Sequence, residues 1–186
     1  MKKISTLFVI NYTKNKGKGT ITEEIRPENS WVFEDLENVV ATQKFDGTAA
    51  LILNGELYKR YDAKADKQAP EGAIPCQEPD SITGHHPHWV KVTNTKENKY
   101  FLECDLTGLE DGTYEMCGEK VGTNPEKIKG HKLIKHGSVI LNIVELSFTN
   151  LKHYLSNPEN DIEGIVFHHK DGRMCKLRKG DFNVKR

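Results

Sequence analysis

An α+β fold built mainly from antiparallel sheets is what this sequence predicts, on three observations. Ten short runs are β-branched, aromatic or alternating in hydropathy and are bounded by Gly, Asn or Asp, the pattern of strands. Asn54-Gly55 separates two of these runs and is a strong two-residue hairpin signal. Helical periodicity is confined to two segments, so helices flank sheets rather than alternate regularly with strands.

In chain order the strands are expected at 6–11, 31–33, 39–41, 49–53, 56–60, 99–103, 113–117, 139–146, 164–168 and 174–177. The better helical pattern is 148–156, which lines Phe148, Leu151 and Leu155 along one face after Ser147 as N-cap. A second short helix is expected at 125–129. Residues 62–87, rich in Pro, Gly, Gln and Asp, read as a long ordered loop. Asp171-Gly172 turns one strand back on the next, making a hairpin of 163–167 with 174–178.

The 186 residues are sized for one domain, expected to span 1–186. Seven Phe, six Tyr and two Trp within a 36% hydrophobic composition supply a sizeable core. The 27 basic residues balance 27 acidic ones, which excludes nucleic-acid binding by bulk charge and leaves only local patches. Two basic runs qualify, at 120–136 and 176–186. Cys76, Cys104, Cys117 and Cys175 are scattered without a C-x-x-C pair, which is not zinc spacing and fits reduced thiols. The apolar run after Met1 is short, contains Ser5 and Thr6 and lacks a small-residue cleavage site, so it reads as a first strand rather than a secretion signal. No stretch approaches transmembrane length, and a cytoplasmic protein with no membrane partner is expected.

The segment carrying most chemistry is Lys44-Phe45-Asp46-Gly47, a lysine at a strand end before a tight bend. Burial and neighbouring cations lower a lysine's pKa and free the lone pair, which makes it a nucleophile. Arg60 follows on the returning strand of the 49–60 hairpin, within reach of an anion bound near Lys44. Glu115 is a single carboxylate in the apolar strand 113–117; it either faces water or binds hydroxyls or a metal. Glu163 opens the strand 163–167, and alternation puts Lys176 and Arg178 on one face of its hairpin partner with Leu177 on the other. His85, His86 and His88 match no structural zinc set and read as a solvent-facing or nucleic-acid-touching loop.

The order Lys-x-Asp-Gly, Arg, Glu strand, Glu-Gly-Ile-Val, Lys-x-Arg resembles the covalent nucleotidyltransferases, namely ATP-dependent RNA and DNA ligases and messenger-RNA capping enzymes. A closer resemblance is carried by ATQKFDGT at 41–48, YKRYD at 58–62, PEGAIPCQEPD at 70–80, TGHHPHW at 83–89 and GTYEMCG at 112–118. These segments look like the small 5′-to-3′ RNA ligase family shared by bacteria, phages, viruses and vertebrates.

That resemblance implies a nucleotidyltransferase (ligase adenylation) domain, with no appended OB-fold domain after Arg186, joining RNA 5′-phosphate and 3′-hydroxyl ends. ATP and Mg²⁺ or Mn²⁺ are the implied cofactors. Lys44 would be the adenylated nucleophile, with Lys176 and Arg178 neutralising charge on the α-phosphate. The family usually has lysine where Arg178 stands, which leaves Lys179 as a rival for that contact. Gln43 would meet the base edge, Glu115 the ribose hydroxyls and Arg60 a phosphate. Asp46, with Gly47 in the same turn, would orient the amine or share a hydrated divalent ion with Glu163. Phe101 and Phe148 are candidates to stack on the base, each also suited to the core. Two other readings stand beside this one: a nucleotidyltransferase acting on another phosphorylated acceptor, and a catalytically silent RNA-binding module.

Overall fold

The computed structural model describes residues 3–12, 19–81 and 83–184. In chain order the described strands are β1 (Ser5–Thr6), β2 (Phe8–Asn11), β3 (Thr20–Ile25), β4 (Val39–Lys44), β5 (Thr48–Leu53), β6 (Glu56–Ala63), β7 (Ile74–Pro75), β8 (His86–Lys91), β9 (Gly112–Gly118), β10 (His131–Lys135), β11 (Gly164–His169) and β12 (Met174–Arg178). Three short helices accompany them: α1 (Trp31–Glu34), α2 (Lys99–Leu102) and α3 (Phe148–Ser156). All strand pairings are antiparallel except β1 with β12, so the α+β reading with mainly antiparallel sheets holds. No described helix is long and apolar enough to cross a membrane.

The chain divides into two compact units, one comprising Met1–Lys3 with Asp46–His136, the other Ile4–Phe45 with Gly137–Arg186. In the first, a six-stranded sheet runs in the order β10-β9-β5-β6-β8-β7. Ala50, Ile52, Tyr114 and Met116 alternate along β5 and β9 onto one buried face, where Phe101 and Cys104 pack on them. Residues 49, 60 and 115 therefore lie on the opposite face. The Asn54-Gly55 turn joins β5 to β6 as its sequence requires, both residues taking positive φ (52° and 73°).

In the second unit a four-stranded sheet runs β1-β12-β11-β4, beside a β2-β3 ribbon. Its core face is Ile165, Phe167, Cys175 and Leu177, each 0% exposed, onto which α3 lays Leu151 and Leu155. Burying each such aliphatic or aromatic side chain contributes roughly 1.5–3 kcal/mol. The α3 bounds match the sequence reading, and Ser147 caps it by accepting from Asn150 N. In the core, desolvation pushes the Cys175 thiol up to about 12. The four cysteines are unbridged.

Several elements differ from the sequence reading. Residues 31–33 and 99–103 form helical turns, α1 and α2, not strands. A three- to five-residue apolar run carries too few repeats to separate a period of two from 3.6, and tertiary burial of Trp31, Val32 and Phe101 decides. Residues 139–146 are not a strand either. They touch the edge of β4 through Gln43 N to Val139 O (2.9 Å), Leu141 N to Ala41 O (2.9 Å) and a Thr42–Ile140 bridge, then leave. The helix expected at 125–129 is replaced by turns, because Asn124 takes φ 49° and its side chain bonds both Ile128 N and Ile128 O. Within 62–87 the loop is interrupted by β7, while β6 runs on to Ala63 and β8 starts at His86. Strands β3, β8 and β10 arise in segments too polar to read as strands.

Gly164 pairs with Lys44 on one side and Arg178 on the other. A Cβ there would lie 2.3 Å from the Leu177 carbonyl oxygen and 2.8 Å from Arg178 Cα, both backbone atoms that cannot step aside. Gly164→Ala should therefore cost about 1–3 kcal/mol, the range for overpacking. The check is the urea midpoint at unchanged slope; an unchanged midpoint would show that β11 and β12 are not so tightly apposed.

Candidate active site

Strand register brings together the second unit's candidate residues. Lys44, Gly164 and Arg178 form one row across β4, β11 and β12, and Thr42, Val166 and Lys176 form the next row on the same face. Glu163 immediately precedes β11 and so sits at the rim of that face. Its carboxylate forms an ion pair with Lys44 Nζ through Oε2, while Lys44 Nζ also donates to Phe45 O at 3.3 Å. Lys44 and Glu163 retain only 22% and 12% side-chain exposure, so the pair is largely shielded from solvent.

Lys176 is half-buried on this face, and among the described residues no hydrogen bond or ion pair reaches its Nζ. Desolvation first, then the charges of Arg178 and Lys44, push its pKa below the ordinary lysine value. Arg178 differs: its guanidinium bonds Asp181, which holds its pKa above the ordinary arginine value. Lys179 is buried, with Nζ donating to Asn160 O at 3.1 Å and 3.9 Å from Asp161 Oδ1. It is therefore committed to the fold, and Arg178 is the cation beside Lys176.

Gln43 does not join this face. It shares a row with Ile165 and Leu177, on the side opposite Lys44.

The first unit holds the remaining candidates. Glu115 pairs with Ala49 on β5, and Arg60 pairs with Trp89 on β8, its guanidinium 5.8 Å from the indole ring centre. Both lie on the face away from that unit's core. Glu115 neither points into open water nor stands alone: His136 Nε2 lies 2.8 Å from Oε2, and the carboxylate side chain is 13% exposed. Gly47 is required beside it, since a Cβ would meet Met116 O at 2.4 Å and Glu115 Cγ at 2.8 Å. Asp46 Oδ2 accepts from both Thr123 N and Thr123 Oγ1 at 2.7 Å, and a Cβ on Gly122 would strike the same carboxylate.

His136, Thr123 and Asp181 carried no motif signal. His136 was readable only as part of the basic run 120–136, yet it and His131 each face a carboxylate, the latter through Glu103 Oε2 at 2.6 Å. Lys135 likewise pairs with Glu110. The phosphate track expected there is thus narrowed to Lys120, Lys127, Lys129 and Lys132, and in the 176–186 run Lys185 and Arg186 lie outside the described residues.

Phe101 is buried in the first unit's core, and Phe148 packs edge-on against Phe8 and Phe182. Both are core residues. His85 lies 3.4 Å from Asp62, and His88 Nδ1 lies 2.8 Å from His86 O. Among the described residues no three His, Cys, Asp or Glu side chains cluster as a metal cage. Mg²⁺ ordinarily takes one or two carboxylates and keeps several waters. Glu163 in one unit and Asp46 in the other each offer hard oxygen donors of the type such an ion takes.

The family model described as RNA ligase 1 matches residues 94–185, a span that includes Glu115, Glu163, Lys176, Arg178 and Asp181. RNA ligase 1 of Pongo abelii is 26% identical over 221 aligned residues, covering 78% of this chain and 67% of that protein. RNA ligase 1 of Rattus norvegicus is 27% identical over 220, and that of Mus musculus 25% identical over 221, with the same coverage. By sequence, this chain is related to the RNA ligase 1 family.

Proposed function

We propose that the protein is an ATP-dependent RNA ligase working through a lysyl-AMP intermediate. The observation that carries this reading is Lys44: a shielded primary amine on a sheet face shared with Lys176 and Arg178 and held by Glu163. Lys44 Nζ attacks the α-phosphorus of ATP, the P–N bond forms and pyrophosphate leaves. The adenylyl group then passes to an RNA 5′-phosphate, and an RNA 3′-hydroxyl displaces AMP to form the phosphodiester.

Attack requires the lone pair, so the ammonium bound to Glu163 must first give up a proton and part from that carboxylate. Lys176 and Arg178 meet the charge that grows on the α-phosphate oxygens. Lys176 suits this role because no hydrogen bond or ion pair among the described residues reaches it, and the more distant charges of Asp181 and Glu163 offset its burial and cationic neighbours only in part. Glu163 in one unit and Asp46 in the other would each be a carboxylate ligand for Mg²⁺, whose chemistry is neutralisation of phosphate charge. In the other unit Glu115, oriented by His136, would accept ribose hydroxyls, and Arg60 would contact a phosphate.

Incubation with labelled ATP should add one AMP to the wild-type protein and none to Lys44→Ala, and only the wild type should seal 5′-phosphorylated RNA. Absence of the mass gain would sink the enzyme reading in favour of an RNA-binding module. AMP gain without RNA joining would point to another phosphorylated acceptor.

Lys176 gives a pH test. Its folded pKa lies below its unfolded one, so the folded state resists its protonation. Stability on this account rises with pH from the lowered folded pKa up to the ordinary value, about 10.4. Lys176→Met should therefore raise the melting temperature at neutral pH, about 2–4 °C for each kcal/mol in a chain of this size, while AMP transfer is lost. A lower melting temperature in that variant would refute the assignment of Lys176 as an uncompensated cation.

RNA affinity should also fall steeply with salt, because it rests on lysine–phosphate contacts in a chain of zero net charge. A salt-insensitive dissociation constant would remove the phosphate tracks.

A further inference from the structure

We infer that Asp181 is a positioning residue that aims the Arg178 guanidinium at phosphate, an inference that rests on the nucleotidyl-transfer reading above. Asp181 is 4% exposed, an unusual place for a carboxylate, and it is fully engaged with one residue. Its Oδ1 accepts from Arg178 Nε at 3.0 Å and from Arg178 Nη2 at 2.7 Å. Its Oδ2 accepts from the Arg178 backbone N at 2.8 Å. Backbone and guanidinium of one arginine are thus gripped by the two oxygens of one carboxylate.

The consequence is directional. A guanidinium carries five N–H donors in a rigid plane. Asp181 consumes the Nε and one Nη2 donor, so the remaining three lie along the far edge. That edge belongs to a side chain still 42% exposed, whereas the Asp181 side chain is 5% exposed. Strand pleat sets Arg178 on the same face as Lys44 and Lys176. The bound edge fixes the torsions of a long side chain that would otherwise lose rotamer entropy on meeting phosphate.

The same geometry suits an arginine at this position rather than a lysine. A lysine ammonium is a compact charge without a second edge. At position 178 its donors would radiate from a single atom, so pairing with Asp181 would not fix the direction of the rest as a held guanidinium edge does. Arginine satisfies the buried carboxylate and still presents donors. The arginine and the aspartate three residues later therefore form one functional unit.

A simpler role would be capping: Asp181 closes the 3₁₀ turn Lys179–Phe182 through the Arg178 backbone N. The two roles separate in a double-mutant cycle, read as kcat and ATP KM for AMP transfer to Lys44, with melting temperature measured in parallel. Asp181→Asn keeps an acceptor for the backbone N–H but releases the guanidinium. It should lower kcat by about 100-fold, the scale of a misplaced catalytic group, with ATP KM changed by less than about threefold. Arg178→Lys should lose a similar factor, and adding Asp181→Asn to it should cost at most about twofold more, because the carboxylate then has no guanidinium to aim.

If Asp181 only caps the turn, Asp181→Asn costs the same factor in both backgrounds, and the inference falls. Should Asp181→Asn fail to fold, Arg178→Lys alone decides: full activity overturns the inference, since a compact ammonium has no rigid edge for Asp181 to hold and aim. Failure of wild-type protein to take up AMP is a separate result that rejects the ligase reading itself.

Discussion

The close apposition of β11 and β12 at Gly164 is the constraint on which the second unit's chemistry depends. Because Leu177 O would sit 2.3 Å from any Cβ at that position, the two strands can approach only with glycine there. That approach fixes the register Gly164–Arg178, and through β11 the register Gly164–Lys44. A slip of one residue would exchange the faces, sending Lys176 and Arg178 into the core and Ile165 and Leu177 out to solvent. The apolar face that stabilises the sheet and the cationic face behind it are thus two sides of one alternation, and neither can shift without the other.

The cationic face is electrostatically expensive, and each charge is handled differently. Lys44 is balanced by Glu163, Arg178 by Asp181 and Lys179 by the Asn160 carbonyl and Asp161. Lys176 alone among these has no such partner among the described residues, and burial beside two cations lowers its pKa. An uncompensated half-buried cation weakens a fold and strengthens an anion site, since an incoming phosphate relieves the repulsion that folding left behind. The three cations are therefore held differently: Lys44 pairs with Glu163, Arg178 pairs with Asp181, and Lys176 has no such partner among the described residues.

Much of this was legible in the sequence, and the exceptions have physical causes. Alternation over 163–167 and 174–178, with Asp171-Gly172 between, was long enough to settle both period and turn, so the placement of Lys176, Leu177 and Arg178 followed. Helix α3 was legible because Ser147 announces its start and Leu151 and Leu155 keep helical spacing. The runs at 31–33 and 99–103 were too short to carry a period, and burial against distant residues chose helix. Gln43 neighbours Lys44 in sequence, but adjacent strand residues face opposite ways, and register sets it in the row of Ile165 and Leu177. Partners such as His136 for Glu115 and Thr123 for Asp46 lie 21 and 77 residues away in the chain, and no local pattern announces a contact set by sheet pairing and loop path.

Those long-range partners change what a carboxylate on a sheet can do. Glu115 by itself on β9 would be a solvated side chain with many rotamers, and its affinity for a hydroxyl would be offset by the entropy of fixing it. Paired with His136 through one oxygen and hemmed by Gly47, it is restrained in orientation. Asp46 is restrained in the same manner by two donors on one oxygen, from a loop whose Gly122 is required for it to approach. Asp181 completes the pattern in the other unit. The carboxylates at 46, 115, 163 and 181 each have a partner, so within each unit the acidic side chains are held by their neighbours rather than left to solvent.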